Sequence, residues 1–200
     1  MLATALDQLQ VISFFDSQAP NWDACNKAKP EKLETILDFA HILPGDKVLD
    51  VACGTGILFP YYLKKEVAKV VGVDISEKMI ARAQENYTDR RIELHNLDIE
   101  KAVFTCQFNQ VVVFNALPHF NSPSHLIPAL ARFTEPGGRL TIAHDMGRAH
   151  LNTVHCRKAM AVSLGLISET ELSSLFLPFF TVDCMISNED YYVVSGLKNR

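Results

Sequence analysis

A glycine-rich turn directly after an apolar segment is the best candidate for ligand binding in this chain. Residues 48–58 read VLDVACGTGIL. The apolar residues indicate a buried strand, and Gly54 and Gly56 would let the backbone approach a ligand closely. Asp50, near the end of the strand, could order the turn and balance a positive charge on the ligand. A dinucleotide-binding turn needs a third small residue where this chain has Phe59, so the pattern indicates a nucleotide-type ligand other than NAD.

A second group of chemically capable side chains is crowded into residues 144–155. Its members are polar or ionisable: His144, Asp145, Arg148, His150, Asn152 and His155. Spacings of four and three would place Arg148, Asn152 and His155 on one face of a helix. His119, in the loop after the preceding strand, could converge with that face.

Several functions of these histidines remain open. One histidine could act as a general base toward an oxygen, nitrogen or sulfur nucleophile, with Arg148 orienting an anionic group. Alternatively, His119, His144 and His155 could bind a metal such as zinc that activates the second substrate. They could also be polar residues at the rim of the site or hydrogen-bonded packing residues.

Strands and helices alternate regularly around both groups, which predicts an α/β fold with a parallel sheet covered by helices on both faces. The pattern is preceded by helices at 2–15 and 30–41. The predicted strands are 48–51, 69–74, 91–95, 110–115 and 139–144; the predicted helices between and after them begin at Ile57, Ser76, Ser124 and Arg148, and a Pro136-Gly-Gly turn precedes the last strand. Residues 168–171 form a capping-box pattern that opens a further helix. Two apolar runs at 179–186 and 191–195 then predict a hairpin. Ligands of such a fold collect at the carboxyl ends of the strands.

Composition narrows the function classes. The 200 residues suit one domain, and a net charge of −4 with a pI near 6.0 argues against nucleic acid and anionic membranes as partners. No apolar run approaches the roughly 18 residues that span a bilayer, so a cytoplasmic location is expected. The five cysteines form no C-x-x-C pair, which predicts neither a disulfide framework nor a thiolate zinc site.

The segment from Asp50 to Gly56 resembles motif I of the class I S-adenosylmethionine-dependent methyltransferases, roughly (D/E)-x-G-x-G-x-G. Ala52 replaces the first glycine, as in members similar to the ubiquinone-biosynthesis enzymes, and Cys53 follows it. Residues 70–76 resemble the G-x-D-x-S element of this family. The resemblance implies that Asp74 binds the ribose and that Ile75 packs on the adenine.

Four further segments extend the resemblance. Asp98 and Ile99 follow the third strand, where the family places a polar side chain near the adenine amino group, and Asn115 would lie beside the methionine part of the cofactor. Residues 133–140 are similar to the family's L-K-P-G-G-x-L turn. Residues 14–23 resemble an N-terminal lid in which Phe15 and Trp22 shield the sulfonium.

The resemblance implies a Rossmann-like, doubly wound, seven-stranded and mostly parallel sheet with an antiparallel C-terminal hairpin strand. Residues 1–200 would form one methyltransferase domain, divided into a helical lid at 1–45, a cofactor-binding core at 46–145 and substrate-side helices with the terminal hairpin at 146–200. The expected reaction is in-line transfer of a methyl group from S-adenosylmethionine to a small-molecule acceptor, leaving S-adenosylhomocysteine. A non-catalytic or regulatory S-adenosylmethionine-binding protein and a metal-assisted methyltransferase are the alternatives.

Overall fold

A computed structural model describes residues 6–158 and 161–200, with the exception of the side chains of residues 155–158. The described chain folds into one seven-stranded sheet. Its strands are β1 (Lys47–Val51), β2 (Lys69–Asp74), β3 (Ile92–Asn96), β4 (Phe108–Phe114), β5 (Thr134–His144), β6 (Phe180–Ser187) and β7 (Tyr192–Lys198). The strand order is β3-β2-β1-β4-β5-β7-β6. β7 runs antiparallel to both β5 and β6, and the pairs among β1–β5 are parallel, so the predicted fold class is confirmed.

Helices cover both faces of the sheet. They are α1 (Gln8–Gln18), α2 (Trp22–Cys25), α3 (Pro30–Phe39), α4 (Phe59–Lys64), α5 (Glu77–Asn86), α6 (Pro123–Phe133), α7 (Arg148–Lys158) and α8 (Glu169–Phe176). The side chain of Ser76 caps α5, and Ser168 with Glu171 forms the capping box that opens α8, as the sequence predicts. No helix within the described ranges is both long and apolar enough to cross a membrane.

The burial of each strand follows from its position in the sheet. β1, β2 and β4 lie in the middle and are almost entirely buried, as expected for parallel strands covered on both faces. Two clusters of buried side chains pack on opposite faces of the sheet: one contains Val111 and Phe176, and the other contains Val112 and Phe59. Strand β6, at one edge, instead alternates exposed residues with residues that are partly or fully buried.

Two local predictions differ from the structure. The helix expected to open at Ile57 begins at Phe59, because Gly56, with φ +88°, still belongs to the turn. The expected Pro136-Gly-Gly turn is part of β5, where the pairing with β4 shifts register and Gly137 has φ +78°. This segment is therefore a bulge in a continuous strand. The first helix begins at Gln8, and residues 2–5 of the predicted helix lie outside the described residues.

Candidate functional site

The candidate site is a cavity of about 470 Å³ at the carboxyl ends of the parallel strands. Residues that follow β1, β2, β3, β4 and β5 all contribute to its lining. The cavity lies where the chain changes direction in the sheet, between β1 and β4. Open α/β sheets bind their ligands at such switch points.

The glycine-rich turn forms one wall of this cavity. Ala52, Cys53 and Gly54 line it, and both Ala52 and Gly54 have positive φ values, +54° and +56°. Gly56 lies outside the lining. A Cβ atom at Gly56 would stand 2.5 Å from the ring of Phe59, so this glycine is needed for the close packing of the turn on α4.

Asp50 lies beneath the turn rather than in the cavity wall. Its side chain is buried in the sheet, and the hydroxyl of Tyr62 is its polar neighbour. Burial raises the pKa of Asp50 to about 8; Tyr62 lowers it and the charge of Asp74 raises it further. Burial thus favours the uncharged form of Asp50, whereas the sequence predicts a charge-balancing role for it.

Asp74 lies in the wall at the end of β2 and is 8% exposed. Its two carboxylate oxygens accept hydrogen bonds from the backbone amides of Gly54 (2.9 Å) and Ser76 (2.8 Å). Burial raises the pKa of Asp74 to about 6, although these two hydrogen bonds oppose the shift. Each oxygen keeps further acceptor capacity for a ligand hydroxyl. Ile75 lies next to it in the cavity wall.

Asp98 and Ile99 continue the wall after β3. Asp98 Oδ2 accepts hydrogen bonds from Gln8 Nε2 (2.9 Å) and Lys101 Nζ (2.8 Å). Burial alone would raise the pKa of Asp98, but these donors and the amide of Glu100 outweigh it, so the pKa is lowered. Asp98 thus remains ionised while it connects α1 to the loop after β3.

The N-terminal segment contributes aromatic side chains to the cavity wall. Phe15 and Trp22 line the cavity, and their rings meet edge to face at 5.6 Å. The carboxylates that directly follow these two residues in the sequence, Asp16 and Asp23, attach the segment to the core. Asp16 accepts from the Ser76 hydroxyl at 2.6 Å, and Asp23 accepts from the Thr55 hydroxyl at 2.6 Å.

The ends of β4 and β5 are joined at the cavity by a reciprocal pair. Asn115, which has φ +53°, donates from Nδ2 to the Asp145 carboxylate at 2.9 Å and accepts from the Asp145 amide at 3.2 Å. Lys32 donates to the carbonyl of Asp145 at 2.9 Å and forms an ion pair with Asp190 at 2.9 Å. These contacts fix the loop after β5 from both sides.

His119 and His144 both line the cavity. The ring of His119 lies 4.9 Å edge to face from Phe15, and its Nδ1 is 2.7 Å from the carbonyl oxygen of Val162. A carbonyl only accepts, so Nδ1 carries a proton and Nε2 of the neutral ring has the lone pair. His144 is fully buried, with its ring 5.9 Å from that of Tyr192.

Two of the predicted site residues on α7 are not seen in the cavity wall: Arg148 does not line it, and the side chain of His155 is not described. Arg148 is absent from the cavity lining and interacts electrostatically with Tyr192 and Glu171, toward α8 and β7. The side chain of His155 lies outside the described residues. Within the part of the chain that is described, no three His, Cys, Asp or Glu residues are grouped to hold a metal ion.

Sequence reasoning did not identify the apolar wall on the β5 side. It consists of Phe120, Met146, Leu151 and Val154. Leu151 and Val154 share a face of α7 at a spacing of three, among polar neighbours, and this spacing was the available signal. Gln8 was also missed, because only the fold brings α1 to Asp98.

The fold and the cavity define a protein that binds a nucleoside-containing ligand at a Rossmann-like switch point. A methyltransferase-domain family model matches residues 48–138. The chain is 31% identical over 160 residues to the ubiquinone biosynthesis O-methyltransferase of Coxiella burnetii, with 74% of this chain and 68% of that protein covered. It is 30% identical over 148 residues to the enzyme of that name from Dechloromonas aromatica, with 68% and 62% covered. The chain thus spans about three fifths to two thirds of the length of these relatives.

Solved structures with low sequence identity share the fold. The N-methyltransferase NodS of Bradyrhizobium japonicum, in complex with S-adenosylhomocysteine, aligns with a TM-score of 0.73 at 16% identity over 95% of this chain and 99% of its own. Magnesium protoporphyrin IX methyltransferase of Synechocystis aligns with a TM-score of 0.73 at 18% identity over 96% and 99%. The chain belongs to the class I S-adenosylmethionine-dependent methyltransferases, and S-adenosylmethionine is its cofactor.

The chemistry of the cavity fits this cofactor. Among the described residues, four carboxyl groups and a single lysine are the charged side chains in its lining, and this excess of acid suits a sulfonium cation. They are Asp74, Asp98, Glu100, Asp145 and Lys27. In the cavity wall Ile75 follows Asp74 and Ile99 follows Asp98, and such apolar side chains suit the faces of a purine base.

Proposed function

We propose that this methyltransferase transfers a methyl group to the oxygen of a small, uncharged acceptor, and that His119 accepts the proton which the acceptor loses. The observation that carries this proposal is the contact between His119 Nδ1 and the Val162 carbonyl at 2.7 Å. It leaves a basic Nε2 on a ring that lines the same cavity as Asp74 and Asn115.

The remaining lining supports an apolar and neutral acceptor. Phe120, Met146, Leu151 and Val154 line the same cavity as His119 and can exclude water, and among the described side chains Arg148, which was expected to bind an anionic group, does not line it. The names of the relatives, ubiquinone biosynthesis O-methyltransferases, favour oxygen as the acceptor atom.

The residues of this chain would divide the work between binding and proton transfer. When bound, S-adenosylmethionine supplies a methyl group that is already activated on a sulfonium. We assign Asp74 to the ribose hydroxyls, Ile75 and Ile99 to the faces of the adenine, Asp98 to the polar edge of the base and Asn115 to the methionine end. The wall of Ala52, Cys53 and Gly54 would lie along the cofactor, and Phe15 and Trp22 would cover it. Such positioning contributes about 7–11 kcal/mol in favourable systems.

The proposal treats residues 1–200 as a single domain in the cytoplasm. Residues 1–45 would form the lid, 46–145 the cofactor-binding core and 146–200 the substrate side. Two observations support this division: residues of α1 and α2 line the cavity beside the strand-end residues of the core, and the hairpin β6–β7 extends the sheet beyond β5.

The test measures release of S-adenosylhomocysteine with panels of phenols, alcohols, thiols and amines. His119→Gln should lower turnover about 10²–10⁴-fold, the range of general-base catalysis, and should leave the affinity for S-adenosylhomocysteine unchanged in calorimetry. His150→Gln, an exposed position on α7, is the matched control. Full turnover in His119→Gln would exclude the base. Binding of the cofactor without turnover of any acceptor would favour a regulatory protein.

A further inference from the structure

Asn152 forms a two-point contact with a loop that the sequence gives no reason to connect to the active site. Its Oδ1 accepts from the amide of Leu166 at 2.7 Å, and its Nδ2 donates to the carbonyl of the same residue at 3.2 Å. The side-chain amide therefore pairs with the backbone of Leu166 much as a neighbouring strand would. Both bonds are made away from the cavity, since Asn152 is not part of its lining.

The other end of this loop contacts the turn that carries His119. The amide of Leu164 donates to the carbonyl of Pro118 at 2.9 Å, and the carbonyl of Val162 accepts from His119 Nδ1 at 2.7 Å. Val162 and Leu166 are both buried, which anchors the loop at its two ends. A loop of five residues, 162–166, thus connects Asn152 on α7 to the imidazole ring of His119.

We propose that Asn152 is a positioning residue for methyl transfer: by fixing Leu166 it holds the Val162 carbonyl against His119 and so keeps the ring proton on Nδ1. The basic nitrogen of the neutral ring is then Nε2. The catalytic meaning of this arrangement rests on the proposed function of His119 as the base. The arrangement itself is a property of the free protein.

The local geometry requires an asparagine at this position. An aspartate would keep the acceptor for the Leu166 amide but would place a second carboxylate oxygen against the Leu166 carbonyl, where a donor is needed. Gly165 has φ +76°, and a Cβ atom there would stand 3.0 Å from Asn152 Oδ1, so the loop approaches the side chain as closely as a glycine permits.

The tautomer can be read directly from the whole protein without a known acceptor. Two-bond ¹H–¹⁵N spectra of protein labelled at its histidine rings distinguish the two neutral tautomers, and His119→Gln identifies the signal among the seven histidines. At a pH where the ring is neutral, the Nδ1–H form should dominate in the unmodified protein. Asn152→Ala and Asn152→Asp should each shift the tautomer ratio about fivefold toward Nε2–H, the effect of weakening one hydrogen bond.

Two further measurements separate this role from general stabilisation. Thr153→Ala, which loses only a bond to the Ala149 carbonyl on the exposed side of α7, should leave the tautomer ratio unchanged. If one Asn152 variant lacks a cooperative thermal transition and is therefore not folded, the tautomer ratio of the other variant tests the proposal. An unchanged tautomer ratio in a folded Asn152 variant would overturn the proposal.

The pH profile of turnover distinguishes this proposal from the proposed function. A changed tautomer with a shifted pH midpoint for kcat/KM supports both. A changed tautomer with an unchanged profile supports the positioning by Asn152 and removes His119 as the base. His119→Gln tests the base independently of Asn152.

Discussion

The two ends of the cavity are built from contacts of different kinds. At the β1–β3 end, the key carboxylate of Asp74 is fixed by the backbone amides of Gly54 and Ser76, which belong to the two neighbouring strand-end turns. At the β4–β5 end, side chains have a larger part: Asn115 pairs with Asp145 across the two strand ends, and His119 is fixed by the Val162 carbonyl of an irregular loop. The first arrangement follows from a motif, whereas the second depends on how distant loops pack.

The difference has a functional reading. Backbone amides at strand ends recur whenever the same turns form, so they suit the part of the site that binds a shared cofactor. Side-chain contacts to loops can change without disturbing the sheet, and they suit the part that must recognise a particular acceptor.

The largest effect should come from Asp74 at the β1–β3 end. Asp74→Ala removes the acceptor for two amides and for the proposed ribose contact, so the affinity for S-adenosylhomocysteine should fall at least about 100-fold, on the scale of two charge-assisted hydrogen bonds. Isothermal calorimetry measures this loss. Glu77→Gln, an exposed change one residue beyond the cap of α5, is the control. An unchanged affinity would remove Asp74 from the cofactor site.

The second prediction concerns the pH dependence of stability at the same end. The pKa of Asp50 is raised to about 8 in the folded protein, so the folded state keeps a proton that the unfolded chain has released above about pH 4. Folding stability should therefore fall as the pH rises from about 4 to 8, by at most about 1.4 kcal/mol per pH unit from this group.

Asp50→Asn should flatten this fall, because the amide has no proton to lose. Denaturant titrations at pH 5 and pH 8 measure the difference. Asp183→Asn is the contrasting variant: its hydrogen bonds to Arg139 lower the pKa of Asp183, so its stabilisation is present above the unfolded value and lost in acid. A steep fall that persists in Asp50→Asn would assign it to other groups.

The sequence predicted the sheet and most of the β1–β3 end because both depend on local patterns. The bounds of β2 are those expected, and Ala52, Cys53, Gly54, Asp74, Ile75, Asp98 and Ile99 all line the cavity. The sequence motif also predicts a cofactor contact for Gly56 and Asp50, because a motif does not distinguish residues that contact the ligand from residues that the turn needs for packing. The structure shows that one permits packing and that the other lies buried below the turn.

The β4–β5 end was less predictable for the opposite reason. Arg148 and Asn152 do lie on α7, but neither lines the cavity, and among the described side chains of this helix those that line it are the apolar Leu151 and Val154. A polar cluster in a sequence indicates chemistry only when the fold turns it inward. Here the sequence contained no signal for the loop at 162–166 that decides the state of His119.

The smallest predicted effect concerns the N-terminal segment, which combines features of both ends: its residues match a motif, yet its contacts are long-range. Asp23 accepts from the Thr55 hydroxyl at 2.6 Å and from Asn86 Nδ2 at 3.1 Å, so it ties α2 to the glycine turn and to α5. Asp23→Asn should weaken these bonds by about 1 kcal/mol and raise the dissociation rate of S-adenosylhomocysteine about fivefold. Trp22 is the single tryptophan of the chain and lines the cavity, so stopped-flow fluorescence reports the release directly. Ser17→Ala, an exposed change on α1, should leave the rate unchanged. Equal rates in both variants would mean that the segment does not control release, and the covering role proposed for Phe15 and Trp22 would then fall.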